Sequence, residues 1–546
     1  MTSKSSEPRD RKTLPVYRLA ILPQPSLERL HDLAKGLFGI ENYSLHETNS
    51  RRLLRSTTQL IEVDNERGAI WAADQAELWN PKAKPQLPDK QRAQEIADEF
   101  LRKNALLPMP HRDDQFVVEP LGVAGSYIST LEKRTGERER RQLDYRVRYG
   151  VRMTVKDPET GSELRVPVIS GMGKFAVTIG DAGKVIAYNG AWLPIDGIET
   201  RAAYIPRKIA DQRFKKLTAK LNIESFDADL VYAFTQSPNK KSSYLYPVWA
   251  YRAIGNIKGH KFSLRIIIIP ATEFGPQPQP SEPQPKRTKR MVPRSWETVK
   301  RRGLRTISPY EGATSWIGEI GGLGGSRNNA QGFVDGLRDA GWNINFNWGN
   351  CNAWETDWHE NDDYYVDAAD FIFYTGHAGL DGWNLVNPAD CSNDYLTSPE
   401  AGGPPDVWGR QDLEWFIVAA CGPLQDDILA AGGGDVLERW RNAFDGLHIL
   451  MGYGAVTFDN EEEGRRIVQY AREGQTLVNA WFRTAQEIQP SDNGESAPNG
   501  PTVYVGAMWV GKSGEPNPIN DHLWGYGSVA LDPREFDFLA CMWVPC

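Results

Sequence analysis

Two apolar runs in the second half of the chain each end in a side chain able to do chemistry. Phe371–Thr375 runs through Gly376 into His377 (FIFYTGHAG), and residues 415–420 run into Cys421, Gly422 and Pro423 (WFIVAACGP). An imidazole beside a thiol takes its proton or pairs with it as an ion, and the thiolate is the nucleophile. Glycines beside both residues let a substrate backbone approach. Gly379 and Gly422 mark the stretches whose N–H groups would meet an oxyanion or line the cleft. If the runs are neighbouring strands, His377 and Cys421 share one edge of a sheet and form a dyad for attack on acyl carbon.

Other side chains have weaker claims. His359 stands among Glu355, Asp357, Glu360, Asp362 and Asp363. Such oxygens suit Ca²⁺, but their order is not that of an EF-hand, so the stretch reads as a solvated loop and no cofactor or resident metal is expected. Residues 321–325 (GGLGG) lack the lysine and spacing of a phosphate loop and are expected to line the cleft. Residues 460–463 read as an acidic helix start, which the helix dipole favours. Trp342, Trp348, Trp354, Trp358 and Trp383 cluster in sequence near the active edge, where they either line a groove or pack as core.

An apolar strand ending in His with glycine nearby, followed 44 residues later by an apolar strand ending in Cys-Gly, resembles the caspase, gingipain and legumain group of cysteine peptidases. The likeness spans about residues 313–510 and includes the GYGAV segment after Leu450. It implies a caspase-like fold, a cysteine endopeptidase acting on proteins or peptides, His377 as base or ion-pair partner, and Cys421 as nucleophile. Two departures stand out. Ala378 separates His377 from Gly379, and Ala419 stands where metacaspases carry an Asp for a basic P1 side chain. With that acid missing, Glu319, Asp381, Asp426 and Asp427 near strand ends become the candidates for a P1 pocket. The same dyad would also serve a transpeptidase or ligase, and without catalysis the fold would be a peptide-binding module.

The elements that must place these residues alternate. Strands are expected at 315–320, 343–347, 371–375, 415–420, 448–452 and 502–510, with helices at 328–340, 435–443, 461–472 and 476–487. Strands separated by helices mean an α/β domain with a mostly parallel sheet covered on both faces, here residues 301–546. Residues 1–60 read as a polar segment. Residues 61–273 read as an α+β region, with helices at 90–104 and 206–221 and strands at 143–151, 164–169, 174–179, 184–188, 230–235, 245–253 and 262–269. This helix-then-sheet order, seen twice, resembles the PepSY modules of peptidase propeptides. Residues 274–300 (FGPQPQPSEPQPKRTKR and beyond) form a Pro-rich basic linker, solvated and open to cutting between Lys286 and Arg294.

The net charge of −8 conceals an asymmetry. Residues 306–546 carry 36 acids and 11 bases, a balance of −25, leaving +17 to residues 1–305. Opposite fields favour docking of the N-terminal region on the C-terminal domain, and a latent zymogen-like state is expected from it. The negative domain also favours basic P1 residues. Bases interleaved with acids (GERERRQ) and the lack of a known motif speak against nucleic acid. No apolar run approaches a membrane span, and the start of the chain lacks a secretory stretch, so a soluble cytoplasmic protein is expected. The five cysteines, Cys351, Cys391, Cys421, Cys541 and Cys546, are then expected to be reduced.

Overall fold

The computed structural model describes residues 12–23, 25–48, 50–109, 116–236, 243–275, 284, 287, 310–401, 407–494 and 501–546. Five apolar runs of the C-terminal half line up in parallel, in the order Asn343–Gly349, Glu311–Trp316, Phe371–Thr375, Trp415–Ala419, Ile449–Tyr453. The last four are buried along their whole length. Burial on both faces explains why they read as unbroken apolar runs rather than as alternation. The helices Ser326–Asp339, Glu463–Arg472 and Leu477–Ile488 supply Phe333, Leu337, Ile467 and Trp481 to one face. Trp358, Trp383, Trp408 and Trp440 fill the other. Tyr504–Gly511 and Phe538–Pro545 then extend the sheet antiparallel.

The α/β class therefore holds, with two shifts. The first strand is Glu311–Trp316 rather than 315–320, because Glu319–Gly321 already turns and Gly322 sits at φ 76°. The hairpin Gly382–Val386 with Asn393–Thr397 was not anticipated.

The two halves share a sheet. Phe538–Pro545 pairs antiparallel with Phe116–Glu132, from Phe538 opposite Glu132 to Trp543 opposite Tyr127. Sixteen described strands run through this sheet, and six others form a second sheet around the long strands Asn222–Gln236 and Ser243–Ile257. The expectation of a merely polar segment over 1–60 is corrected. Thr13–Leu19 pairs with both Ile195–Ala203 and Ser243–Ile257, and Leu27–Phe38 is a helix capped by Ser26 and ended by Gly39 at φ 66°. Ser44–Glu47 and Arg51–Arg55 lie at an edge and are mostly solvent-facing, so their sequence carries no apolar alternation.

Ion pairs cross between the halves. Arg51 meets Glu473 at 2.8 Å, Arg67 meets Glu487 at 2.8 Å, Arg138 meets Asp435 at 2.6 Å and Arg140 meets Asp426 at 3.2 Å. In each the base is N-terminal and the acid C-terminal. Arg483 and Glu62, both buried, reverse that sense at 2.8 Å.

Most of the 274–300 linker, including Lys286, Lys289, Arg290 and Arg294, lies outside the described residues. Arg287 is described, and it is not solvated. Its guanidinium carbon sits 3.4 Å from the centre of the Trp348 ring and 3.9 Å from that of Trp354, and it pairs with Asp357. The expectation of five reduced cysteines is also corrected, since Cys351 and Cys391 form a disulfide while Cys421, Cys541 and Cys546 are free and buried. Closing a loop of 40 residues restricts the unfolded chain, by roughly 3–4 kcal/mol in the chain-entropy account. Adding dithiothreitol is therefore expected to lower the melting temperature, and Cys391→Ser is expected to remove that sensitivity. Among the described residues no helix is long and apolar enough to cross a membrane.

Candidate active site

Phe371–Thr375 and Trp415–Ala419 are adjacent parallel strands with Thr375 opposite Ala419. His377 and Cys421 each follow that last pair by two residues, so both emerge at the carboxyl end of the sheet, where α/β folds gather reactive groups.

The His377 ring is held at both nitrogens. Nε2–H donates to the Gly321 carbonyl at 2.8 Å, and Nδ1 accepts the Arg265 backbone N–H at 3.1 Å. This pairing fixes the tautomer and leaves Nδ1 as the basic nitrogen. Gly321 belongs to the glycine-rich turn expected to line the cleft. A Cβ there would lie 2.9 Å from the Ile317 side chain and 3.3 Å from the ring, so glycine permits the close carbonyl contact. Burial pushes the imidazole down to about 4.

The Cys421 sulfur accepts the Thr457 N–H at 3.3 Å and lies 3.6 Å from the Thr457 hydroxyl. It is fully buried in an apolar cluster with Val456, Ile266, Val231, Ala233, Val248 and Ala250. Burial raises its thiol, which is therefore protonated near neutrality. The hydrogen bonds of His377 and Cys421 go to these partners, not to each other.

Arg265 comes from the N-terminal half. The run LRIIII was expected to lie inside one strand over 262–269, yet the chain pairs only at His260–Ser263 and Ile267–Pro270 and leaves the ladder between them. There the backbone bridges to the C-terminal domain on two sides. Ser263 N–H donates to Ala378 O at 3.1 Å, Ile266 N–H to Thr457 O at 2.7 Å, and Asp459 N–H to Ile266 O at 3.2 Å.

The Arg265 guanidinium is fully buried. Nη1 donates to Thr375 Oγ1 at 2.9 Å and Ala419 O at 2.8 Å. Nη2 donates to Phe458 O at 2.5 Å and to both Glu463 carboxylate oxygens at 3.2 and 3.0 Å. Glu463 also accepts from Tyr453 OH at 2.6 Å, Gln489 Nε2 at 2.7 Å and Asn329 Nδ2 at 2.9 Å. Burial alone would raise this carboxyl, but Arg265 and those donors outweigh it and hold it below the usual range.

None of the four expected pocket acids touches that guanidinium. Glu319 binds Asn350, Asp381 faces His260 and Tyr395, Asp426 pairs with Arg140 and accepts the N–H groups of Ile428 and Val436, and Asp427 caps a turn at Gly432 and Gly434. The Gly379 N–H is committed to Gly382 O at 2.9 Å, so it is not an open oxyanion donor. Gly422 adopts φ 83°, a backbone that side chains disfavour, and a Cβ there would meet Gln425.

The acidic stretch does not converge on one point. Glu355 pairs with His359 at 2.6 Å, and Asp357 with Arg287. Asp362, Asp363 and Asp367 do approach one another, but Asp367 accepts the Gly409 and Gln411 N–H groups and so closes a turn. Trp358 and Trp383 are fully buried core rather than groove, whereas Trp348 and Trp354 face Arg287.

Sequence reasoning missed Arg265, Thr457 and Glu463. The available signal was one arginine in the most apolar run of the chain.

A family model described as Domain of unknown function (DUF6345) matches residues 310–544. That span contains His377, Cys421 and Glu463 and excludes Arg265. No curated protein matches the chain.

Proposed function

We propose that the C-terminal domain is a cysteine peptidase of caspase-like architecture, with Cys421 as nucleophile and His377 as base. The observation that carries this reading is the shared exit of His377 and Cys421 from paired parallel strands, with Nδ1 left basic by the Gly321 contact. In the working form the Cys421 thiol gives its proton to Nδ1, and the thiolate forms a bond to the substrate carbonyl carbon. The C–N bond then breaks, and the leaving amine takes the proton from the imidazolium. Water, deprotonated by the same nitrogen, cleaves the thioester to a carboxylic acid and restores the thiol. With the Gly379 amide committed, the Cys421 amide is the oxyanion donor of this reading.

The complete burial of both side chains favours a second reading, a non-catalytic peptide-binding module. The two part on covalent labelling. A peptidyl acyloxymethyl ketone should modify Cys421, and His377→Ala should slow that modification by about 10²-fold or more, the scale of general-base assistance. Labelling that ignores His377, or that falls equally on Cys541 and Cys546, would leave the binding-module reading standing.

A further inference from the structure

We propose that residues 263–267 are a built-in occupant of the substrate cleft, with Arg265 seated in a P1 pocket that selects arginine. This rests on the peptidase reading and adds its regulation and its substrate class.

Three observations converge. The segment is clamped as an added strand, bridged at Ser263 to the residue after the base and at Ile266 to the loop that holds the nucleophile. Extended peptides dock on enzymes and binding modules in this manner, through backbone hydrogen bonds and side-chain pockets. The chain direction then places Arg265 opposite His377 and Ile266 against Cys421.

The pocket belongs wholly to the other domain. Thr375, Ala419, Phe458 and Glu463 all lie within residues 310–544, and Tyr453, Gln489 and Asn329 hold Glu463 in place independently of Arg265. With the segment withdrawn, a carboxylate buried among neutral donors remains, and such a group demands a cation. The donors of a guanidinium satisfy two carbonyls, a hydroxyl and a carboxylate in one plane, which the ammonium of lysine does not reproduce.

Occupancy also silences the site. The Arg265 N–H takes the Nδ1 lone pair that must receive the thiol proton. Ile266 helps to close the apolar cluster over the sulfur. The segment is thus held in the cleft without a working base, which accounts for an arginyl bond resting uncut beside a thiol. Cleavage substrates are accordingly peptides with arginine before the scissile bond, and activation requires residues 263–267 to leave.

The test uses the full chain and Arg265→Met, which keeps side-chain volume and removes the charge. Alkylation of Cys421 by iodoacetamide, followed by peptide mass spectrometry, measures access and needs no catalysis. It should rise at least tenfold in Arg265→Met. Nα-acetyl-arginine methylamide should protect the variant's thiol, Nα-acetyl-lysine methylamide should not, and adding Glu463→Gln should abolish the protection. Unchanged alkylation in a folded variant, or equal protection by both amides, overturns the proposal. Should the methionine variant fail to fold, Arg265→Lys is expected to give the same direction at smaller amplitude, and no rise there overturns it too. An arginyl acyloxymethyl ketone, run in parallel, reports on the chemistry alone. Arginine-specific protection without covalent capture supports the cleft occupant and refutes catalysis.

Discussion

Glu463→Gln is expected to lower folding stability by about 3–5 kcal/mol, the cost of leaving a buried charge without its partner. Arg265 would keep its bonds to Thr375, Ala419 and Phe458 but lose the only carboxylate it touches among the described residues. Arg265→Met on the same background should return part of the loss, because removing both charges ends the imbalance. Urea unfolding followed by fluorescence reads the effect as a fall in midpoint. The pH dependence has a definite sign. The Glu463 carboxyl is depressed in the folded chain. Its contribution is therefore present above the ordinary carboxylate range and is lost as pH falls through its lowered value. A double variant as unstable as the single one would contradict the pairing.

Acidification from pH 7.5 to 5 is expected to open the 263–267 segment by about 30-fold, with His377 as the cause. In the closed form burial holds the imidazole at about 4, against an ordinary value of 6.5. Released to solvent it recovers the ordinary value, so between these limits the open form binds the extra proton. The stability of the closed form is complete above about 6.5 and declines as pH falls toward about 4. Glu463 acts in the same direction. Asp459, raised to about 6 by burial, acts in the opposite direction if it too is exposed. Hydrogen–deuterium exchange of a peptide covering 262–268, corrected for intrinsic rates, measures the opening. His377→Gln isolates the imidazole and should flatten the profile. A profile unchanged by that substitution would refute the assignment.

Some of this was legible in the sequence because its causes are local. A strand buried on both faces must be apolar, so Phe371–Thr375 and Trp415–Ala419 stand out, and a reactive residue after each is visible without a fold. The rest depends on partners far along the chain. Glu463 has a sufficient local explanation as an acid in the first turn of a helix, so nothing in its neighbourhood asks for a second one. Arg265 sits in a run whose other members are apolar, and a single charge does not change a strand pattern. Its partners are 110 to 198 residues away. The docking of the halves was anticipated from charge, but not through a shared sheet. The joining strand Phe538–Pro545 pairs with Phe116–Glu132, whose neighbour reads RERRQ and carries many charges at its exposed end. The edge strands before residue 60 were hidden because solvent-facing strands have no apolar signature.

The central claim is that His377 and Cys421 form a working dyad held closed by Arg265. It is tested most directly by turnover of a peptidyl-arginyl-aminomethylcoumarin by Arg265→Met, compared with the same variant carrying Cys421→Ala. The account predicts fluorophore release by the first protein, none by the second, and little by the unmodified chain. Equal release by both variants, or no release by a folded Arg265→Met whose Cys421 is open to iodoacetamide, would contradict it.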